Sequence, residues 1–143
     1  MKPPPTRLAL AVSVALLVGG CSTDYEGGDK KDFVAEANAA CKAHGATVES
    51  GLDELREGGR VPTSAEVRSY VGDVALPRLQ ERLDKLRQIE PPTADREKVD
   101  AIIRAYQEGL DTISSDPDQL ADADPFLDAF SKAGAYGLTA CAE

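Results

Sequence analysis

The sequence predicts an all-α fold, an up-down-up-down four-helix bundle with one disulfide linking the first and last helices. Three observations carry this expectation. Apolar residues recur at steps of three and four through most of the chain after residue 32, with no strand-like alternation. Glycine and proline interrupt that pattern at Gly58-Gly59, Pro62, Pro91-Pro92 and Pro125, cutting it into four stretches. The 143 residues are 42% hydrophobic but only 5% aromatic, with no Trp. A core must therefore come from Leu, Val, Ile and Ala, which suits helices packed on helices.

The first helix is expected from Phe33, with Ala37, Cys41, His44, Val48, Leu52 and Leu55 on one face and an end at Gly58-Gly59. Thr63 opens the second, with Glu66 three residues on completing a capping box. Its stripe is Val67, Val71, Val74, Leu79, Leu83 and Leu86. Pro77 lies inside that stripe, lacks a backbone donor and clashes with the preceding turn, so a kink or short break is predicted there. Thr93 is placed as the cap of the third helix, whose core positions are Val99, Ile102, Ile103, Tyr106, Leu110 and Ile113. The segment from Asp116 to Pro125 reads as a loop or a single turn. The fourth helix is drawn from Pro125 through Phe126, Phe130, Ala133, Gly137 and Cys141.

The amino terminus has a separate character. Lys2 and Arg7 precede an apolar run from Leu8 to Val18, the arrangement of a secretory signal. Eleven helical residues span roughly 16 Å, about half a hydrocarbon core, too short for a stable transmembrane helix. Val18-Gly19-Gly20-Cys21 follows and resembles the bacterial lipobox, with the less common Val in the aliphatic place. That resemblance implies cleavage after Gly20 and diacylglycerol on the Cys21 thiol; two acyl chains hold a protein on a membrane where one does not. The expected organisation is a signal peptide over residues 1–20, a lipid-anchored polar tether over 21–32, and a helical bundle domain over 33–143.

Charge narrows the partners. Removing residues 1–20 takes away Lys2 and Arg7, leaving 14 basic residues against 25 acidic and a formal net charge of −11. Such a surface repels nucleic-acid phosphates and anionic headgroups, so nucleic acid is not an expected partner. Membrane association would have to be covalent. The expected address is the extracytoplasmic face of the cell membrane, with an envelope protein as a candidate partner.

Once Cys21 is assigned to lipid, Cys41 and Cys141 remain. Outside the cytoplasm, two thiols at core positions pair most simply as a disulfide. Closing a loop of 100 residues adds up to about 4.7 kcal/mol by the chain-entropy argument. Cys41 lies 16 residues before a first-helix end at Glu57, and Cys141 lies 16 residues after a fourth-helix start at Pro125. Antiparallel helices with matching arms bring the two sulfurs level. The tether and the carboxyl-terminal segment then share one end of the bundle, and the Gly58–Pro62 turn and the Asp116–Asp124 loop share the other.

With those residues in place, the chain resembles a group of small uncharacterised lipoproteins and secreted proteins of actinobacteria. The resemblance runs through Asn38-Ala39-Ala40-Cys41, through Leu83 to Pro92 (LDKLRQIEPP), and through Tyr136 to Cys141 (YGLTAC). It implies a disulfide-linked helical domain on the cell surface and no particular activity.

Candidate sites are few. His44 is the sole histidine, and Cys41-x-x-His44 with Cys141 would be a three-ligand zinc set; in an oxidising compartment a histidine beside a disulfide is the simpler reading, and no metal is expected. Asp116, Asp118, Asp122 and Asp124 offer oxygen ligands, but the EF-hand positions that need Gly and Glu hold Ala121 and Leu127. Asp116 and Asp124 each precede a proline and read as helix caps. No nucleophile elbow, phosphate-cradling glycine loop or cofactor fingerprint is present, so neither an enzyme nor a cofactor is expected. Two readings follow: an envelope interaction module using its acidic distal loops, and a carrier of a small apolar ligand held between helices. A pocket of roughly 300 Å³ or more between the helices favours the carrier.

Overall fold

The computed structural model describes residues 29–122 and 124–143. The signal segment, the lipobox and Cys21 lie outside the described residues.

The first helix, α1, runs Lys30–Leu55, three residues ahead of the predicted start. Asp29 sets that start, its carboxylate accepting the Lys31 N–H at 2.9 Å. Gly58 and Gly59, both at positive φ, turn the chain after it.

The capping box forms as read. Thr63 Oγ1 accepts the Glu66 N–H, and the Glu66 carboxylate returns to the Thr63 N–H at 2.8 Å. Arg60 grips the same carboxylate with both guanidinium nitrogens at 2.8 Å. The Arg60 hydrogen bond, aided by those of Thr63, holds Glu66 down at about 2.

From this start α2 (Ser64–Tyr70) continues through a π turn over Val71–Ala75 into α3 (Leu76–Gln88). Here the structure refines the expected kink. A proline in a regular helix collides with the carbonyl four residues back, Asp73 in this case. The wider π turn, with Leu76 N–H bonded to Val71 O, relieves that collision without ending the helix. Residues 64–88 form one continuous rod.

Pro91-Pro92 ends the rod, and a 3₁₀ turn over Thr93–Asp95 precedes α4 (Arg96–Ser115). Thr93 opens that turn and does not stand at the cap of α4. Asp116 orders the next turn, accepting from the Asp118 N–H and the Gln119 side chain, and α5 covers Gln119–Asp122. Asp124 caps the following segment through the Phe126 N–H at 3.0 Å, and α6 spans Leu127–Tyr136.

The largest departure from expectation lies here. The predicted fourth helix reached Cys141, whereas α6 stops at Tyr136. Gly137 takes φ 107° and closes a Schellman motif, with Leu138 N–H to Ala133 O at 2.9 Å and Gly137 N–H to Gly134 O at 3.1 Å. The chain reverses into a 3₁₀ turn over Thr139–Cys141.

The helices form a four-membered up-down-up-down bundle with no strand among the described residues. α1 packs on α3, α3 on α4, and α4 on α6. The ring is closed back to α1 chiefly by the 3₁₀ turn. Cys41 and Cys141 form the disulfide, their Cα atoms 5.1 Å apart. Asn38 pins the same turn twice, accepting the Ala140 N–H at 2.9 Å and donating to Gly137 O at 3.2 Å. Thus the predicted bridge forms, but from a strap leaving the helix, not from matched helical arms. Ala37, Ile113, Ala129 and Ala133, like both cysteines, are fully buried in the core.

Candidate functional site

The short last helix leaves a gap. A 26-residue α1 is about 39 Å long, and a ten-residue α6 covers about 15 Å of that. Beyond the strap, the apolar face of α1 has no fourth helix against it. His44, Val48, Leu52 and Leu55, read as core positions, are only half-buried.

A cleft of about 560 Å³ occupies this gap. Val48 and Leu52 of α1, Leu79 of α3, Leu120 of α5, and Phe126 and Phe130 form its apolar walls. Phe126 and Phe130 stack at 5.9 Å between ring centroids and lean on Tyr106, which fixes that wall. A second hollow of about 390 Å³ shares Leu52 and Leu120 with the first. It continues past Leu55 and Arg56 to Arg60, Val61, Pro62 and Val67, so two arginines also line this hollow. Together they make a trough along α1, apolar through its middle.

Polar groups share the lining of the first cleft: Lys42, Arg82, Asp124, Thr139 and Glu143, together with Cys41. Lys42 is exposed at the rim. Arg82 is the exceptional residue, a guanidinium only 4% exposed. Its Nη2 donates to the Cys41 carbonyl at 3.3 Å and lies 2.5 Å from where a Cβ would stand on Gly45. A side chain at position 45 would displace the guanidinium from this place. The Tyr106 hydroxyl lies beside Arg82 and donates to the Cys141 carbonyl. Both cysteine carbonyls are therefore held by buried side chains. Burial pushes Tyr106 up to about 12, against the opposing pull of the Arg82 charge.

Sequence reading missed Arg82, because it flanks the Leu79–Leu83–Leu86 stripe and periodicity marks charged flanks as solvated. Gly45, three residues before Val48 on the opposing helix, was the available signal that something large approaches there.

The other candidate residues fall elsewhere or serve other ends. His44 Nδ1 stands 3.5 Å from Glu81 Oε2, which also accepts from Arg78 at 2.9 Å. Cys41 and Cys141 are spent on each other, so the Cys-His zinc set has no thiolate to offer. Among the described residues no group of three or more His, Cys, Asp or Glu could hold a metal ion. Asp118 is bonded to Arg68 at 2.6 Å, tying the acidic loop to α2, and the Asp122 side chain lies outside those described. Among the described residues no helix is long and apolar enough to cross a membrane.

Among the described residues that line the cleft there is no nucleophile–base pair. No family model, curated protein or solved structure matches the chain.

Proposed function

We propose that this chain is a lipid-anchored binding protein of the extracytoplasmic face, which holds a small apolar ligand in the cleft between α1, α3 and α6 and catalyses nothing. The supporting observation is the cleft of about 560 Å³, within the roughly 300–1,000 Å³ typical of small-molecule sites. Its origin argues for a built feature: the Gly137 cap shortens the last helix, and the disulfide holds the strap that bounds one end. Anchoring follows from the Cys21 reading.

The first test is binding of a neutral solvatochromic dye, Nile red, to the intact disulfide-bonded protein. One saturable site per chain is expected, with loss of binding on Leu52→Lys or Leu79→Lys. Absence of saturable dye binding would overturn the carrier reading. Anchoring is tested separately by radiolabelled palmitate: Cys21→Ser should abolish label and free the protein from the membrane, and retained label would remove the anchor.

An envelope interaction module is the second reading. One observation favours it: Val61, at the end remote from the disulfide, is 88% exposed beside Pro62. The acidic loop gives less support, since Asp116 and Asp124 cap backbone and Asp118 pairs with Arg68.

A further inference from the structure

The cleft stands within reach of the lipid that the Cys21 reading places on this chain. We infer that it takes one acyl chain of the diacylglyceryl group on Cys21, withdrawn from the bilayer and laid along α1. This rests on the carrier and anchor readings above and names the ligand of the same site.

Reach comes first. Cys21 lies eight residues ahead of Asp29, the cap of α1. Eight residues span at most about 26–29 Å. The cleft begins at Cys41, twelve residues beyond Asp29 and so about 18 Å along the helix. The Cys21 sulfur therefore reaches that level with length to spare. A ligand on so short a link binds as an intramolecular event, at an effective concentration in the millimolar range, and needs no high intrinsic affinity.

Shape and polarity agree with such a ligand. At the end nearest Asp29, the lining residues Lys42, Thr139 and Glu143 are exposed, so the cleft is entered there. From Cys41 it follows α1 to Leu52, eleven residues and about 16 Å, between Val48, Leu79, Leu120 and Phe130. An acyl chain passing from bilayer to this lining exchanges one hydrocarbon surrounding for another. The thioether and glyceryl esters at its head carry no charge. They ask nothing of the charged lining groups, which keep the bonds they have: Arg82 to the Cys41 carbonyl, Asp124 to the Phe126 N–H. The path ends at Leu52, where the second hollow with Arg56 and Arg60 begins. The consequence concerns anchoring. A single acyl chain holds a protein on a membrane only marginally and reversibly, so a cleft that withdraws one of two turns a firm anchor into a releasable one.

The experiment supplies cells making the full-length chain with a palmitate analogue bearing a diazirine near its tail, followed by irradiation and peptide mass spectrometry. Crosslinks should join the Cys21 peptide to peptides carrying Leu79 or Phe130 of the same chain. Label on those peptides without the Cys21 peptide would show free lipid in the cleft and overturn the inference while leaving the carrier intact. Deleting residues 24–28, ahead of the bundle, leaves a link of at most about 11 Å, short of the cleft. The crosslink should then fall about tenfold or more while Cys21 keeps its label. An undiminished crosslink overturns the proposal. The same deletion should slow transfer of the purified lipidated protein between phosphatidylcholine vesicles severalfold, and equal transfer overturns the releasable anchor. The lipid-free Cys21→Ser chain should still bind Nile red at one site. If it binds none, the carrier reading falls; if it binds dye while the labelled chain gives no crosslink, only the acyl ligand does. Absence of label at Cys21 removes the anchor and this ligand together.

Discussion

At the disulfide end of α1, Phe33, Ala37 and Cys41 are 3%, 0% and 0% exposed; farther along the same face, Val48, Leu52 and Leu55 are only half-buried. The helix and its spacing are the same at both ends. What differs is the partner. Near the disulfide, α1 meets α3, the strap and the edge of Tyr136, whose ring is 6.0 Å from that of Phe33. Farther on it packs on α2 and the π turn, where the Tyr70 ring lies against Gly51 and its hydroxyl donates to Val48 O at 2.5 Å, but on its other flank it faces Leu120 across a gap. An amphipathic stripe therefore records which face wants burial, and the length of the neighbouring helix decides how much of it is granted. One molecule carries an end closed by the strap and an end where the apolar stripe stays half-open.

The closed end should carry the larger energetic consequences. Replacing both Cys41 and Cys141 by Ala is expected to lower unfolding stability by about 2–5 kcal/mol in urea denaturation, since the bond closes a 100-residue separation. A loss below about 1 kcal/mol would mean that Asn38 and the Schellman turn hold the strap unaided, and that the contrast between the ends does not depend on the bond.

A matched pair of truncations sharpens the comparison at single residues. Leu83, 1% exposed, packs in the closed core, and Leu83→Ala should cost about 2–5 kcal/mol through lost burial and the cavity left behind. Leu52, facing the trough, should cost less than about 1 kcal/mol on the same change, because water already reaches its site. Denaturation midpoints of the two variants decide this. Equal losses would show that Leu52 is packed as tightly as Leu83 and that the open end is not open.

The local signals were legible in the sequence at both ends. Thr63 with Glu66 gave the capping box, Asp116 and Asp124 gave caps, and two cysteines at core positions gave the bridge, because each depends on neighbours within a few residues or on simple pairing. The open end was less legible for a physical reason. It depends on where α6 stops, and Gly137 satisfied the helical period well enough to pass as a core position. Its pairing with Leu138 was the overlooked sign: a glycine and then an apolar residue at the end of a stripe is the pattern of a Schellman cap. Arg82 was hidden more deeply. A charge on the flank of a helix is ordinarily solvated, and its burial here depends on the missing side chain at Gly45 of another helix. The Pro77 break was expected, yet the π turn that absorbs it is a choice of hydrogen-bond partner that residue types do not announce.

The smallest expected effect ties the two ends together, because Tyr106 touches both. Its ring leans on Phe126 and Phe130, which wall the cleft, and its hydroxyl donates to Cys141 O in the strap. Burial lifts Tyr106 to about 12, above the ordinary tyrosine value of about 10. The fold thus retains this proton where the unfolded chain gives it up. The sign follows: the stabilisation is fully present below about pH 10 and is lost as pH climbs toward 12. Tyr136, also lifted to about 12 by burial and by its bond to Asp95, responds in the same direction. Tyr106→Phe should therefore cost about 1–3 kcal/mol at neutral pH by orphaning a buried carbonyl, and should flatten the fall of the denaturation midpoint between pH 10 and 12. Phenolate absorbance should show one late-titrating group fewer in the variant. If the variant instead falls as steeply as the parent chain over that range, the hydroxyl is not what secures the strap, and the closed end owes its firmness to the disulfide and Asn38 alone.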